Sequence, residues 1–465
     1  MNAPGSLGAG WSVPERVALV GMGVTNRAVA RALVTRGHTV EALDDGGSAG
    51  SDLAAELGFK FHSDASPEVL RSILERSGAF IATPGLPDSH RVFALAAQTG
   101  TPSLSEFDLA AAWDHRDLLA VTGTNGKTTV AMLTEAMLER SGVPSAAVGN
   151  LDVPLVSAID DPRPCCFVVE ASSFRLARSA RFAPRVGTWL NFAPDHLDVH
   201  RDLDTYKRAK ERIWSAQGAD DVAVYNADDP VIAAAVRTTG ILAGSVVSFG
   251  LDRSTEGVPD YHERDGWLVG PGGLKLVEVS GLWSALPHDR RNVLAAAATA
   301  IAGGATVEGV AGAARSFEGL AHRVQAVAEI DGIRYLDDSK ATTPHATLSA
   351  LEGFERVVLI AGGRNKGVDL TPLGSASNVV AVVGIGEAAE DVVAAFEAIP
   401  SAFAASMSEA VDAASGFAAP GDVVLLSPGC ASFDWYDSYA QRGDDFARAV
   451  RELAGYGDAD ARRGS

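Results

Sequence analysis

Leu118-Leu119-Ala120-Val121-Thr122-Gly123-Thr124-Asn125-Gly126-Lys127-Thr128-Thr129 is an apolar run that breaks into a glycine-bounded turn and continues as helix-forming sequence to about Ser141. An apolar strand feeding such a turn, with a helix opening after it, is the context in which backbone amides at a helix start cradle phosphate. Within the turn, Lys127 is placed to neutralise β- and γ-phosphate oxygens. The Thr128 hydroxyl is placed to reach magnesium, and Gly123, Thr124, Asn125, Gly126 and Thr129 complete the loop. The usual pattern has a glycine five residues before Gly126; Val121 stands there, so the loop is a variant. ATP binding on a parallel sheet follows from this segment, but a reaction does not.

Working outward, Cys166–Glu170 and Val186–Asn191 read as further buried strands of the same unit, and Asp221–Asn226 as another. Asp252–Ser280 is glycine-rich with short alternating segments and predicts a small antiparallel excursion. Leu294–Ala302 is an alanine-rich helix. Upstream, Arg16–Val20, His38–Leu43 and Ala79–Ala82 alternate with helical stretches, which predicts a second parallel sheet with loops at its strand C-termini. Downstream, Arg334–Leu336, Arg356–Ile360, Val379–Val383 and Asp422–Leu426 each end in a polar or glycine-rich turn and form a third set. The expected fold class is α/β with three domains, residues 1–106, 107–319 and 320–465.

The 465-residue length agrees, at roughly 150 residues per domain. The net charge of −20 argues against a nucleic-acid surface, because a phosphate backbone would be repelled over most of the protein. An anionic substrate then needs local positive charge or a metal. Cys165, Cys166 and Cys430 lack metal-site spacing and read as buried structural thiols. The start of the chain has no basic segment followed by an apolar one, and no apolar run reaches about 18 residues. Neither a secretion signal nor membrane insertion is expected, so the cytoplasm is the expected location. The first dozen residues and the tail from about Gly455 read as disordered ends.

Two strand ends add chemistry. Glu170-Ala-Ser172-Ser-Phe174 and Asn191-Phe-Ala-Pro-Asp195-His196-Leu-Asp198 lie beside the phosphate loop if the sheet is parallel, and a carboxylate with an imidazole there can bind divalent metal. His196 taken alone reads more readily as a satisfied structural histidine than as a ligand, and Lys210 in Tyr206-Lys-Arg-Ala-Lys210 as a solvated helix-face lysine.

The order and spacing of GTNGKTT, E-x-S-S-F, N-x-x-x-DHLD and Y-x-x-x-K resemble the Mur ligase family of cell-wall enzymes. Asp337-Asp338-Ser-Lys340-Ala-Thr342, Gly362-Gly-Arg-Asn-Lys366 and Leu426-Ser-Pro-Gly-Cys-Ala-Ser432 resemble its D-glutamate-adding branch. The resemblance runs from about Val17 to Val450. It implies a Rossmann-like N-terminal domain, a central P-loop ATPase-type sheet and a Rossmann-like C-terminal domain. It also implies ATP-dependent joining of D-glutamate to UDP-N-acetylmuramoyl-L-alanine through an acyl phosphate, with two magnesium ions. Thr128, Glu170, His196 and Lys210 are then metal residues, Lys210 as a carbamate. Asn292, Arg323 and Asp338 contact ATP, and Lys340 serves the reacting centre. Val24, Thr25, Asp44, Asp45, Thr83, Pro84, Gly85 and Asn150 line the nucleotide-sugar site, with Ser172 also on substrate. Thr342, Lys366, Ser432 and Tyr439 hold the incoming glutamate. A monomer is expected.

Gly21-x-Gly23-x-x-Asn26 with Asp44 alone points to a different class, a nicotinamide-dependent oxidoreductase, but that reading leaves the phosphate loop unexplained. Asp45-Gly46, Asp289, Tyr439 and Val148-Gly-Asn150-Leu-Asp152 depart from the family pattern and bear on substrate detail rather than reaction class.

Overall fold

The computed structural model describes residues 11–46, 50–251, 257–396 and 398–455. The expected disordered ends largely lie outside these residues, as do residues 252–256 of the predicted antiparallel excursion. The chain packs as two compact units. The first comprises residues up to Phe192, Asp198–Gly281 and Arg291–Ser316; the second comprises Ala193–Leu197, Leu282–Arg290 and the chain from Phe317.

In the first unit one parallel sheet runs Lys60–Ser63, Thr39–Asp44, Arg16–Val20, Ala79–Ala82, Ser103–Leu104. Alternating side chains of its central strand serve both faces: Val17 and Leu19 join one core, Ala18 and Val20 the other. The strand order reverses between Arg16–Val20 and Ala79–Ala82. Loops leaving the carboxyl ends of those strands therefore flank the crevice where open α/β sheets take ligands.

A second parallel sheet in this unit runs Ser245–Phe249, Val222–Asn226, Val186–Trp189, Asp117–Thr122, Cys166–Glu170, Ser145–Gly149. The phosphate-loop strand lies between Cys166–Glu170 and Val186–Trp189, with Val121 opposite Glu170 and Thr122 opposite Trp189. The glycine-rich excursion is a three-stranded antiparallel sheet of His262–Arg264, Trp267–Gly270 and Leu274–Glu278.

The sheet of the second unit runs Gln325–Ile330, Ile333–Asp337, Val423–Gly429, Val357–Gly362, Val379–Ile385, Ser401–Ala404 and is parallel except for its first pair. Val358, Ile360, Val424 and Leu426 face one core; Val357, Leu359, Val423 and Leu425 face the other. At about 1.5–3 kcal/mol per buried Val or Leu, two-sided burial of these runs holds each sheet to its helices.

The strands that the apolar-run pattern misses are the edges: Lys60–Ser63, Ser103–Leu104, Ser145–Gly149, Ser245–Phe249, Gln325–Ile330 and Ser401–Ala404. Most are only partly buried, so their sequences need not be continuously apolar. One thiol reading is corrected. Cys166 and Cys430 are buried, but Cys165, immediately before its strand, is exposed.

Candidate active site

The phosphate loop closes because its residues bond one another and their neighbours. Asn125 N–H donates to Asn191 Oδ1 (2.8 Å), and Asn191 Nδ2 returns a bond to Asn125 O (3.1 Å). Thr124 N–H donates to Asn191 O (3.1 Å). Gly126 is left-handed at φ 83°, which favours glycine, and a Cβ there would sit 2.7 Å from Asn292 Oδ1 and push that side chain aside. The expected ATP residue Asn292 thus lies directly against the loop. The helix Lys127–Arg140 starts after Gly126 with no side chain capping it, which leaves its first amides pointing outward. Thr129 is buried and Thr128 half-buried.

Lys127 Nζ donates to Gly123 O and Thr124 O, both at 2.8 Å. Lys210 Nζ donates to the same Gly123 O at 2.6 Å and lies 4.7 Å from the Tyr206 ring centroid. Lys210 is 1% exposed, which corrects the solvated-lysine reading. The helix Leu203–Glu211 turns this residue inward, and Tyr206 OH also meets Thr124 Oγ1 at 3.1 Å. Two ammonium groups therefore converge on one carbonyl.

Glu170 is 3% exposed and ends the strand beside the loop strand. Its Oε1 accepts from Asn150 Nδ2 (3.0 Å), and Asn150 N–H donates to Glu170 O (2.9 Å). Its Oε2 is buried with no hydrogen-bond partner among the described residues. Asn150 can approach because Gly149 takes φ 100°; a Cβ there would meet Glu170 O at 2.6 Å. Among the described residues no three His, Cys, Asp or Glu side chains form a metal cage. Magnesium needs none, since it commonly takes one or two carboxylates and fills the rest with water and substrate phosphate. An orphaned, buried carboxylate oxygen near a phosphate loop and a threonine hydroxyl is a donor set that fits it.

At the crevice of the first sheet, Asp44 Oδ2 accepts from Met22 N–H (2.7 Å) and Oδ1 from Gly46 N–H (3.0 Å). Asp45 is held by Arg91 (2.5 Å) and His90 (3.0 Å), and its carboxyl is lowered, these partners outweighing its burial. A Cβ at Gly21 or Gly23 would meet Thr83 at 2.6 or 2.8 Å. Val24 is 75% exposed, Thr25 is buried, and Thr83, Pro84 and Gly85 are half-buried. The third position of the glycine fingerprint is occupied by fully buried Asn26. Its amide donates to Val20 O, Gly21 O and Ile81 O (3.2, 2.8 and 3.2 Å), tying the two strand ends together. Ser172 caps the helix Ser173–Arg178, accepting from Arg175 N–H (3.5 Å).

In the second unit, Asp338 sits at a strand end with Ser427 Oγ donating to its Oδ2 (2.8 Å). Burial pushes its carboxyl up to about 7, against the opposing pull of Ser427 and Arg323. Lys340 Nζ lies 5.2 Å from the Tyr439 ring centroid. The Gly362–Lys366 and Cys430–Ser432 turns join through reciprocal Arg364 and Ala431 backbone bonds (2.8 and 3.1 Å). Thr342 and Lys366 are half-buried and Ser432 is buried. His196, in Ala193–Leu197, has φ 57° and its Nε2 3.2 Å from Asp195 Oδ2.

Two buried arginines were not singled out from the sequence. Arg442 donates to Ser339 Oγ (3.0 Å), Ser339 O (2.8 Å) and Cys430 O (3.1 Å), bridging two of these turns, and burial pulls it down to about 10. Arg175 lies one residue beyond the E-x-S-S-F motif and meets Glu106 and Asn150. Each acts on turns distant in the chain, so no local pattern marks it.

Comparison with known proteins identifies the family. Residues 121–300 match the Mur ligase middle domain and residues 322–430 match the Mur ligase glutamate ligase domain. A UDP-N-acetylmuramoylalanine--D-glutamate ligase of Desulfosudis oleivorans is 39% identical, over 94% of this chain and 96% of that protein. One of the same name from Frankia casuarinae is 40% identical, over 94% of each. The solved pseudomurein peptide ligase type C of Methanothermus fervidus shares the fold at a TM-score of 0.58 and 16% identity, over 95% of this chain and 99% of that one. With such identity spanning nearly the full length of both relatives, the chain belongs to the Mur ligase family.

Proposed function

We propose that the protein joins D-glutamate to UDP-N-acetylmuramoyl-L-alanine at the expense of ATP, forming the dipeptidyl nucleotide, ADP and phosphate. The observation that carries this reading is Glu170, with one buried oxygen unpartnered, on the strand beside a phosphate loop. The two ligases that match along the whole chain bear the name of that reaction.

Residues 1–106 hold the UDP portion, 107–319 hold ATP, and 320–465 hold the amino acid. Lys127 and the amides opening Lys127–Arg140 bind the phosphate oxygens, with Asn292, Arg323 and Asp338 on the rest of ATP. The alanyl carboxylate attacks the γ-phosphoryl group and ADP leaves, so the loop's work is positioning and charge stabilisation. The glutamate amine, held among Lys340, Thr342, Lys366, Ser432 and Tyr439, then attacks the acyl carbon and phosphate departs. Thr128, Glu170, His196 and Lys210 would hold two magnesium ions, which supply positive charge to the transferring phosphoryl group.

As an ammonium Lys210 is a poor cation ligand. As a carbamate, formed from the free amine and carbon dioxide with loss of a proton, it supplies oxygen. The change also replaces two cations on the Gly123 carbonyl by a pair of opposite charge. Carbon-13 bicarbonate should give a carbamate NMR signal in the wild-type protein and none in Lys210→Arg.

A monomer acting in the cytoplasm completes the reading; no helix among the described residues is long and apolar enough to cross a membrane. The test is ADP release with UDP-N-acetylmuramoyl-L-alanine and each glutamate enantiomer. Release with the D form and a product heavier by one glutamyl residue is expected. Release indifferent to the acceptor, or confined to L-glutamate, overturns the assignment.

A further inference from the structure

Arg175 engages three different segments of the first unit, one through an ion pair and two through hydrogen bonds. Nε lies 2.6 Å from Glu106 Oε1, and both side chains are nearly sealed from solvent, at 6% and 1% exposure. One terminal nitrogen donates to Thr25 Oγ1 (2.9 Å), the other to Asn150 Oδ1 (2.7 Å). Asn150 passes the contact on, donating through Nδ2 to Glu170 Oε1 (3.0 Å). Only one orientation of that amide works: turned over, it would set NH₂ against the guanidinium and oxygen against the carboxylate. The guanidinium thereby decides which face Asn150 shows to Glu170. With Oε1 occupied by that N–H, Oε2 is the oxygen left buried and unpartnered.

We propose that Arg175, seated on Glu106, is a positioning residue for magnesium: it fixes the Asn150 amide, which orients the Glu170 carboxylate toward the cation. This rests on the function proposed above. Groups that orient a metal ligand from behind commonly change metal affinity by about 10–100-fold when removed. A lysine cannot replace the guanidinium, because its single nitrogen cannot reach Thr25 and Asn150 in fixed directions while staying paired with Glu106.

The test titrates Mn²⁺, followed by electron paramagnetic resonance, into the full-length protein with ADP present, alongside melting temperature and magnesium-dependent ADP release. Arg175→Met leaves Glu106 buried alone and can fail to fold. The double variant Arg175→Met/Glu106→Gln removes both charges and keeps the test open. Mn²⁺ affinity at least about tenfold weaker in the folded double variant is expected. A matching rise in the magnesium needed for half-maximal rate, with kcat recovering at high magnesium, is expected too. Arg175→Lys should recover little of the loss. A folded double variant that binds Mn²⁺ as the wild type does overturns the proposal. So does a raised KM for the nucleotide substrate with metal affinity untouched. Should the wild type fail to ligate while Mn²⁺ binding still depends on Arg175, the functional reading falls and the positioning role stands.

Discussion

Lys127 is the side chain on which phosphate chemistry depends most directly. It rests on two loop carbonyls 2.8 Å away, and phosphate oxygens offer it stronger, charged partners. Lys127→Ala should lower kcat by about 10²–10³-fold and leave the melting temperature close to that of the wild type. Full activity in that variant contradicts the assignment. Gly126→Ala forces a left-handed alanine whose Cβ lies 2.7 Å from Asn292 Oδ1, so it should lose about 1–2 kcal/mol of stability together with ATP affinity. Unchanged denaturant midpoints and ATP binding would count against that geometry. Asp338 makes a prediction about pH. Its native carboxyl, raised by burial to about 7, keeps its proton where the unfolded chain, near 3.8, has lost it. Its stabilising contribution is therefore complete below about pH 4 and lost as pH rises through 7. Asp338→Asn mimics the protonated form, so its stability relative to wild type should grow between pH 4 and 7. A constant difference across that range, by urea titration, refutes the shift.

Strands and turns show which parts of this architecture the sequence reveals. Arg16–Val20, Ala79–Ala82 and Cys166–Glu170 have the same bounds in sequence and structure. Strands flanked on both sides within a parallel sheet are buried on two faces, and an unbroken apolar run closed by a glycine turn marks them. Edge strands such as Lys60–Ser63 and Ser401–Ala404 have a half-exposed face and polar residues, and escape that pattern. Loop chemistry at inner strand ends was legible for the same reason. The phosphate loop and Glu170 sit where an apolar run stops. Lys210 was legible only through family resemblance, because its burial depends on Tyr206 and a loop far away in the chain. Asn26 reads as a flawed glycine fingerprint, yet it is the tie between two strand ends. Asn26→Ala should cost about 1–3 kcal/mol through the lost buried hydrogen bonds between the two strand ends, measurable by chemical denaturation. A neutral outcome would contradict that role.

The molecule as a whole carries a charge of −20 yet is proposed to take anionic substrates. Under that proposal the half-buried Lys127 and the amides opening its helix, together with magnesium, would supply the positive charge locally. The chain also has two units with cores of their own, so calorimetry should resolve more than one unfolding event. ADP with magnesium at a hundred times its Kd should stabilise the native protein by about 2.7 kcal/mol. A single transition would show that the units unfold as one. In the proposed reaction the alanyl carboxylate itself takes the phosphoryl group. The most direct measurement uses UDP-N-acetylmuramoyl-L-alanine with oxygen-18 in that carboxylate and follows the label by mass spectrometry of the released phosphate. Phosphate carrying one labelled oxygen, in amounts equal to the amide formed, is the predicted result. Unlabelled phosphate alongside amide formation would contradict it.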